Sequence, residues 1–213
     1  MINISKIYAN HSTTGDPLRY GTSHAGAVSH SHHFKGHGMA KSAAERRPVV
    51  VWNVSKRCNL KCIHCYTNSD YNLAPDELSL AEGQKLIDDL AAFGVPALLF
   101  SGGEPLMRTD LFELAAYAVS KGLRPVLSTN GTLIDERMAQ RIKDTGFIYA
   151  GISLDGIAET NDHFRGVKGA FINAMNGFRN CVAVGQRVGL RLTLTRQNVL
   201  DLDKIFDFLL EEK

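Results

Sequence analysis

From residue 49 onward the chain repeats one pattern five times: a short apolar or β-branched run, a loop, then a stretch with helical spacing. The runs are "VVVWNVS" (49–55), "ALLFS" (97–101), "RPVLSTN" (124–130), "IYAGISL" (148–154) and "VGLRLTLT" (188–195). The helical stretches are "SLAEGQKLIDDLAAFG" (79–94), "DLFELAAYAVSKG" (110–122), "IDERMAQRIKDTG" (134–146), "AFINAMNGFRNCVAVG" (170–185) and "DLDKIFDFLLEEK" (201–213). The first of these opens on Ser79 with Glu82 three residues later, a capping box, and closes on Gly94. Such alternation predicts an α/β fold of parallel strands joined by helical crossovers, as a barrel or as an open doubly wound sheet. In both architectures ligands bind at the carboxyl ends of the strands. Chemistry is therefore expected in "RCNLKCIHCY" after the first strand, "SGGEP" after the second, "STNG" after the third, "SLDG" after the fourth and "TLTRQN" after the fifth.

Residues 1–48 read differently. They are polar and hold His11, His24, His30, His32, His33 and His37, six of the eight histidines. A metal or haem contact is one reading of such a tract. A flexible polar segment is favoured, because the stretch 24–37 contains no carboxylate or cysteine to complete a coordination site. The head carries Lys6, Arg19, Lys35, Lys41, Arg46 and Arg47 against Asp16 and Glu45, which leaves the remainder net acidic in a chain of net charge +2. That balance gives no argument for a nucleic-acid or membrane partner. No apolar run approaches the ~20 residues of a membrane span, and the N-terminus lacks the features of a signal peptide. A cytoplasmic location is expected, where thiols stay reduced and clustered cysteines more often hold metal.

Cys58, Cys62 and Cys65 stand in the spacing C-x3-C-x2-C. A redox pair needs two cysteines, and a structural zinc site needs four ligands. His64 is poorly placed to be the fourth, since it is adjacent to Cys65. Cys181 lies within a helical stretch and reads as a small buried hydrophobe. Thiolates also suit iron–sulfur clusters, and three of them on a four-iron cluster leave one iron open to a small molecule.

These residues resemble the radical S-adenosylmethionine (SAM) enzymes, on "CNLKCIHC" and on "GGEP" after the next strand. The resemblance covers residues 49–213 and implies a TIM-like barrel of six strand–helix units. It implies a [4Fe–4S] cluster on Cys58, Cys62 and Cys65, with SAM chelating the fourth iron. One electron then cleaves SAM to methionine and a 5′-deoxyadenosyl radical, in oxygen-sensitive chemistry that belongs to the cofactors. By the same resemblance, Gly102 and Gly103 let the backbone approach SAM, Glu104 offers a carboxylate to its ammonium and Pro105 fixes the turn. His64 and Tyr66 flank the last cysteine, and the His64 position is one where the family often places an aromatic or apolar residue against adenine. Ser153 corresponds to a residue that contacts SAM, and Arg165 to one that pairs with its carboxylate. Asn130 and Thr193 are the cofactor-side residues of strands three and five.

The segments "MINISKIYANHSTTGDPLRYG" and "RRPVVVWNVSKRCNLKCIHCYTNS" are further similar to the haem-biosynthesis radical SAM proteins of the siroheme and haem d1 branch. That implies a siroheme-derived iron tetrapyrrole as substrate, with removal or modification of its side chains, and an electron donor such as ferredoxin or flavodoxin. Arg19, Arg46 and Arg47 would suit a substrate with several carboxylates. Peptide-modifying radical SAM enzymes share "CNLxCxxCY", "GGEP" and "SLDG" and stand as the alternative. A non-catalytic iron–sulfur module or inactive fragment is the alternative of another class, separated from both by SAM cleavage. Five units fall one short of six, and subgroup members continue into an extension with more cysteines. An incomplete barrel is therefore expected, whether truncated, split or partial, with a separate chain as one source of the missing part. Alone it is expected to associate and to lack full turnover.

Overall fold

The computed structural model describes residues 47–72 and 77–211. The His-rich head expected for 1–48 thus lies outside the described residues, Arg47 and Pro48 excepted. The strands are β1 (Val50–Ser55), β2 (Leu98–Gly102), β3 (Pro125–Thr129), β4 (Tyr149–Ser153) and β5 (Val188–Arg191). They form one all-parallel sheet in the order β1-β2-β3-β4-β5. Strictly sequential order is the barrel type of winding, since a doubly wound sheet reverses direction at a switch point.

The helices that matter for packing are α1 (Leu80–Phe93), α2 (Leu111–Ser120), α3 (Glu136–Thr145), α4 (Glu159–Arg165), α5 (Ala170–Ala183) and α6 (Leu202–Glu211). Both ends of α1 follow the sequence rules: Ser79 and Glu82 form a reciprocal capping box, and Gly94 closes the helix in a left-handed conformation. Neighbouring helices pack in succession, α1 on α2, α2 on α3 and α3 on α5. None of the described helices is long and apolar enough to cross a membrane.

The period-two pattern of the strands separates two environments. Val54, Leu98, Phe100, Leu127, Ala150 and Ile152 face the helices in one apolar core with Ile87, Leu111, Leu114 and Ile142. Cys181 is fully buried in that core, as its sequence neighbours suggest, and burial pushes its thiol up to about 11. The alternate positions Val51, Leu99, Ser101, Ser128, Ser153 and Arg191 line a cavity on the other face.

Two elements depart from the sequence expectation. The fifth strand ends at Arg191 and not at Thr195. Side chains capture the backbone beyond it: Asp155 Oδ1 accepts from Thr193 N, and Asn198 Nδ2 donates to Thr193 O. Helix α4 was hidden in the loop after β4, because "ETNDHFR" has no apolar period and only Phe164 as a large apolar residue. Its Asp162 caps the next helix, accepting from Gly169 N at 2.6 Å and Phe171 N at 2.8 Å.

Candidate functional site

All five strands end at one cavity of about 300 Å3. Cys58, Cys62, Cys65, His64, Tyr66, Gly102, Gly103, Asn130, Ser153, Arg165 and Thr193 line it together. These positions span more than 130 residues of sequence and meet because each lies at or after the carboxyl end of a parallel strand. Glu104 and Pro105 are the expected residues that do not line it.

The cysteine loop is pinned from both sides by main-chain bonds. Cys58 N donates to Asp70 O, Lys61 N to Arg165 O and Ile63 N to Phe164 O. All four described cysteines are free thiols. Each of the three loop sulfurs has a nitrogen donor near it. Leu60 N lies 3.5 Å from Cys58 Sγ, Arg165 Nη1 lies 3.8 Å from Cys62 Sγ and Ser69 N lies 3.4 Å from Cys65 Sγ. Burial pushes the Cys58 thiol up to about 11 and raises Cys62 against the opposing pull of Arg165. At Cys65 burial also works upward, but bonds with Thr67 and Ser69 outweigh it and lower the thiol.

Gly102 and Gly103 have a tighter constraint than approach to a ligand. A Cβ on Gly102, whose φ is +129°, would stand 2.2 Å from Ser55 O. One on Gly103 would stand 2.3 Å from Arg57 O. The glycines let the turn after β2 pass against the end of β1, where Gly103 N donates to Ser55 O and Glu104 N to Arg57 O, both at 2.8 Å. Glu104 also differs from expectation. Its carboxylate is fully buried and accepts from Leu106 N, Thr129 Oγ1 and Asn130 N at 3.1, 2.7 and 2.7 Å. These bonds turn it inward as a brace between β2 and β3, and burial raises its carboxyl from the ordinary value.

Sequence reasoning missed three buried or cavity-lining groups, of which Arg191 lines the cavity. Asp155 of "SLDG", which the sequence does not single out, is 1% exposed. Its Oδ2 lies 3.0 Å from His64 Nε2 and 2.5 Å from Arg165 Nη2. Arg191 reaches from β5 to Ser128 Oγ at 2.6 Å, and the period-two position in "VGLR" was its only signal. Arg108 ties the rim together by donating to Val54 O and Leu78 O and pairing with Asp110.

Among the described residues, no group of three or more His, Cys, Asp or Glu side chains is gathered closely enough for one metal ion. Three thiols that share one cavity without converging on a point match a cluster, in which each thiolate holds a different iron. Two residues that line the cavity, His64 and Arg165, each carry a buried nitrogen with no hydrogen-bond partner, Nδ1 and Nε. The radical SAM superfamily pattern matches residues 52–209. The chain belongs to the radical SAM superfamily. Members of this superfamily use a [4Fe–4S] cluster and SAM, the two groups for which the cavity has thiols and unpaired donors.

Relatives narrow the place within the superfamily. The chain is 54% identical over all 213 residues to Fe-coproporphyrin III synthase of Methanosarcina barkeri, covering 51% of that protein. It is 50% identical over 159 residues, or 75% of its length, to pre-heme d1 synthase of Dinoroseobacter shibae, covering 39% of that protein. The radical SAM chain thus spans about half the length, or less, of these relatives. In solved structures, native anSMEcpe with bound AdoMet superposes with a TM-score of 0.65 at 22% identity, over 76% of this chain and 48% of that one. That likeness speaks to the fold alone.

Proposed function

We propose that this chain carries the SAM-cleaving core of an enzyme that modifies the side chains of an iron tetrapyrrole on the way to haem or haem d1. The observation that carries the proposal is the 54% identity to Fe-coproporphyrin III synthase, which runs over the head as well as the strand–helix units. Cys58, Cys62 and Cys65 hold three irons of the cluster. Cluster and SAM together supply a carbon radical that takes hydrogen from an unactivated C–H bond. The protein's part is to bind, orient and shield. Arg165 Nε and His64 Nδ1 meet polar groups of the bound SAM, Asn130 and Ser153 border it, and Gly102 and Gly103 keep the turn against the cysteine loop. Arg191 adds a second guanidinium to a cavity meant for a substrate bearing carboxylates. The electron comes from a low-potential ferredoxin or flavodoxin, and an oxygen-labile cluster suits the reducing cytoplasm.

The test is anaerobic reconstitution followed by reductant, SAM and didecarboxysiroheme. Iron-coproporphyrin and 5′-deoxyadenosine in the same mixture support the proposal, as does a shift of the tetrapyrrole's visible spectrum on binding. SAM cleavage with no binding or change of the tetrapyrrole would favour the peptide-modifying reading.

A further inference from the structure

Two of the three loop sulfurs receive an N–H from the loop's own backbone, at Leu60 and Ser69, and Cys58 a second, longer one from Asn130 Nδ2 at 4.0 Å. Cys62 receives its donor from Arg165, 103 residues away in sequence. A backbone donor is fixed by the fold, whereas a long side chain must be held. Arg165 is held by one group: its Nη2 lies 2.5 Å from Asp155 Oδ2, while its Nη1 faces the sulfur. The same Oδ2 lies 3.0 Å from His64 Nε2, so one carboxylate oxygen gathers a residue of the cysteine loop and the residue that closes α4.

Asp155 is itself over-determined. Its N–H donates to Asn161 Oδ1, its carbonyl accepts from Asn198 Nδ2 and its Oδ1 accepts from Thr193 N, each at 2.9 Å. A carboxylate so placed is a fixed point, and its Oδ2 holds the guanidinium by an ion pair and not by an aligned hydrogen bond. The backbone of α4 docks on the cysteine loop independently, through Lys61 N to Arg165 O and Ile63 N to Phe164 O. Removing the carboxylate's charge therefore releases the Arg165 side chain without undocking the loop.

We propose that Asp155 is a positioning residue that aims Arg165 at the Cys62 sulfur and so tunes the reduction potential of the bound cluster. This rests on the cluster-binding reading above. Hydrogen bonds to cluster sulfurs and nearby positive charge stabilise the reduced, more negative cluster and raise its potential. The direction of the effect separates positioning from simple charge. Deleting an anion near the cluster would by itself raise the potential, whereas losing the aimed guanidinium lowers it.

The experiment is a redox titration of the reconstituted cluster by paramagnetic resonance, on wild type, Asp155→Asn, Arg165→Lys and the double variant. Asparagine keeps an acceptor for Thr193 N, and lysine keeps the charge of Arg165 but not its fork. Both single variants should shift the midpoint to more negative potential. The double variant should shift it no further than Arg165→Lys alone, because both act through one contact. An unchanged or raised midpoint in Asp155→Asn, or additive shifts, would overturn the inference while leaving the cluster reading intact. Should Asp155→Asn load no iron, Arg165→Lys decides, and an unchanged midpoint there overturns the inference equally. A wild-type chain that loads no four-iron cluster overturns both.

Discussion

On the β1–β2 side of the cavity rim main chain meets main chain, with Gly103 N on Ser55 O and Glu104 N on Arg57 O. On the β4–β5 side the joins run through buried side chains, with Asp155, Asn161 and Asn198 each bonding backbone that has left the sheet ladder. The first arrangement leaves no space for a Cβ and tolerates no adjustment. The second is built from groups that can be exchanged singly and repositioned. Backbone holds backbone under the cysteine loop, and buried side chains hold backbone opposite it.

The sharpest way to break this comparison is Gly102→Ala. A methyl 2.2 Å from Ser55 O, on a backbone at φ +129°, adds overpacking to conformational strain and should cost about 3–5 kcal/mol. Thermal unfolding that falls by less than a few degrees would show that the backbone join is looser than the geometry implies.

Glu104→Ala comes next. It leaves two buried donors and one part-buried donor without their acceptor, a loss of about 2–3 kcal/mol after the relief of an expensive buried carboxylate. Glu104→Gln should cost less, and a stability equal to wild type for the alanine variant would remove the brace from the account.

On the side-chain half, Asn198→Ala removes two donations and the acceptor for Thr195 N, for roughly 1–2 kcal/mol in denaturant unfolding. A cost as large as that of Gly102→Ala would erase the contrast between the halves.

Far from the rim, Ser79→Ala should cost ~1 kcal/mol by loss of the cap. Bonds from Ser79 hold the Glu82 carboxyl below its ordinary value of 4.5. Its contribution is therefore full above that value and is lost as pH falls through the lowered folded value. The gap between wild type and Ser79→Ala should narrow at acid pH to the part owed to the Ser79 cap on Glu82 N, and a gap independent of pH would contradict the capping box.

Much of this was legible in the sequence, for identifiable reasons. Period-two runs and the Ser79, Glu82 and Gly94 signals are local, and local rules found the strands and both ends of α1. The parallel sheet then brings strand ends together, so Cys58 and Thr193 could be assigned to one cavity from chain order alone. What escaped depends on side chains choosing partners across the fold. Asp155 reads as a turn residue until His64, Arg165 and Thr193 N are seen around it. The inward turn of Glu104 and the early end of β5 have the same origin, because a buried polar group goes where its bonds are and sequence spacing does not encode that.

The central claim is that three of the four described cysteines share one cluster while the fourth is packing. Its most direct test is iron content and paramagnetic resonance of the anaerobically reconstituted chain with Cys58, Cys62, Cys65 and Cys181 each replaced by Ala. The account predicts about four irons per wild-type chain, with a reduced spectrum that changes on adding SAM. It predicts loss of that signal in the first three variants and its retention in Cys181→Ala. A single tightly held zinc, or iron loading that survives loss of Cys62, would contradict it.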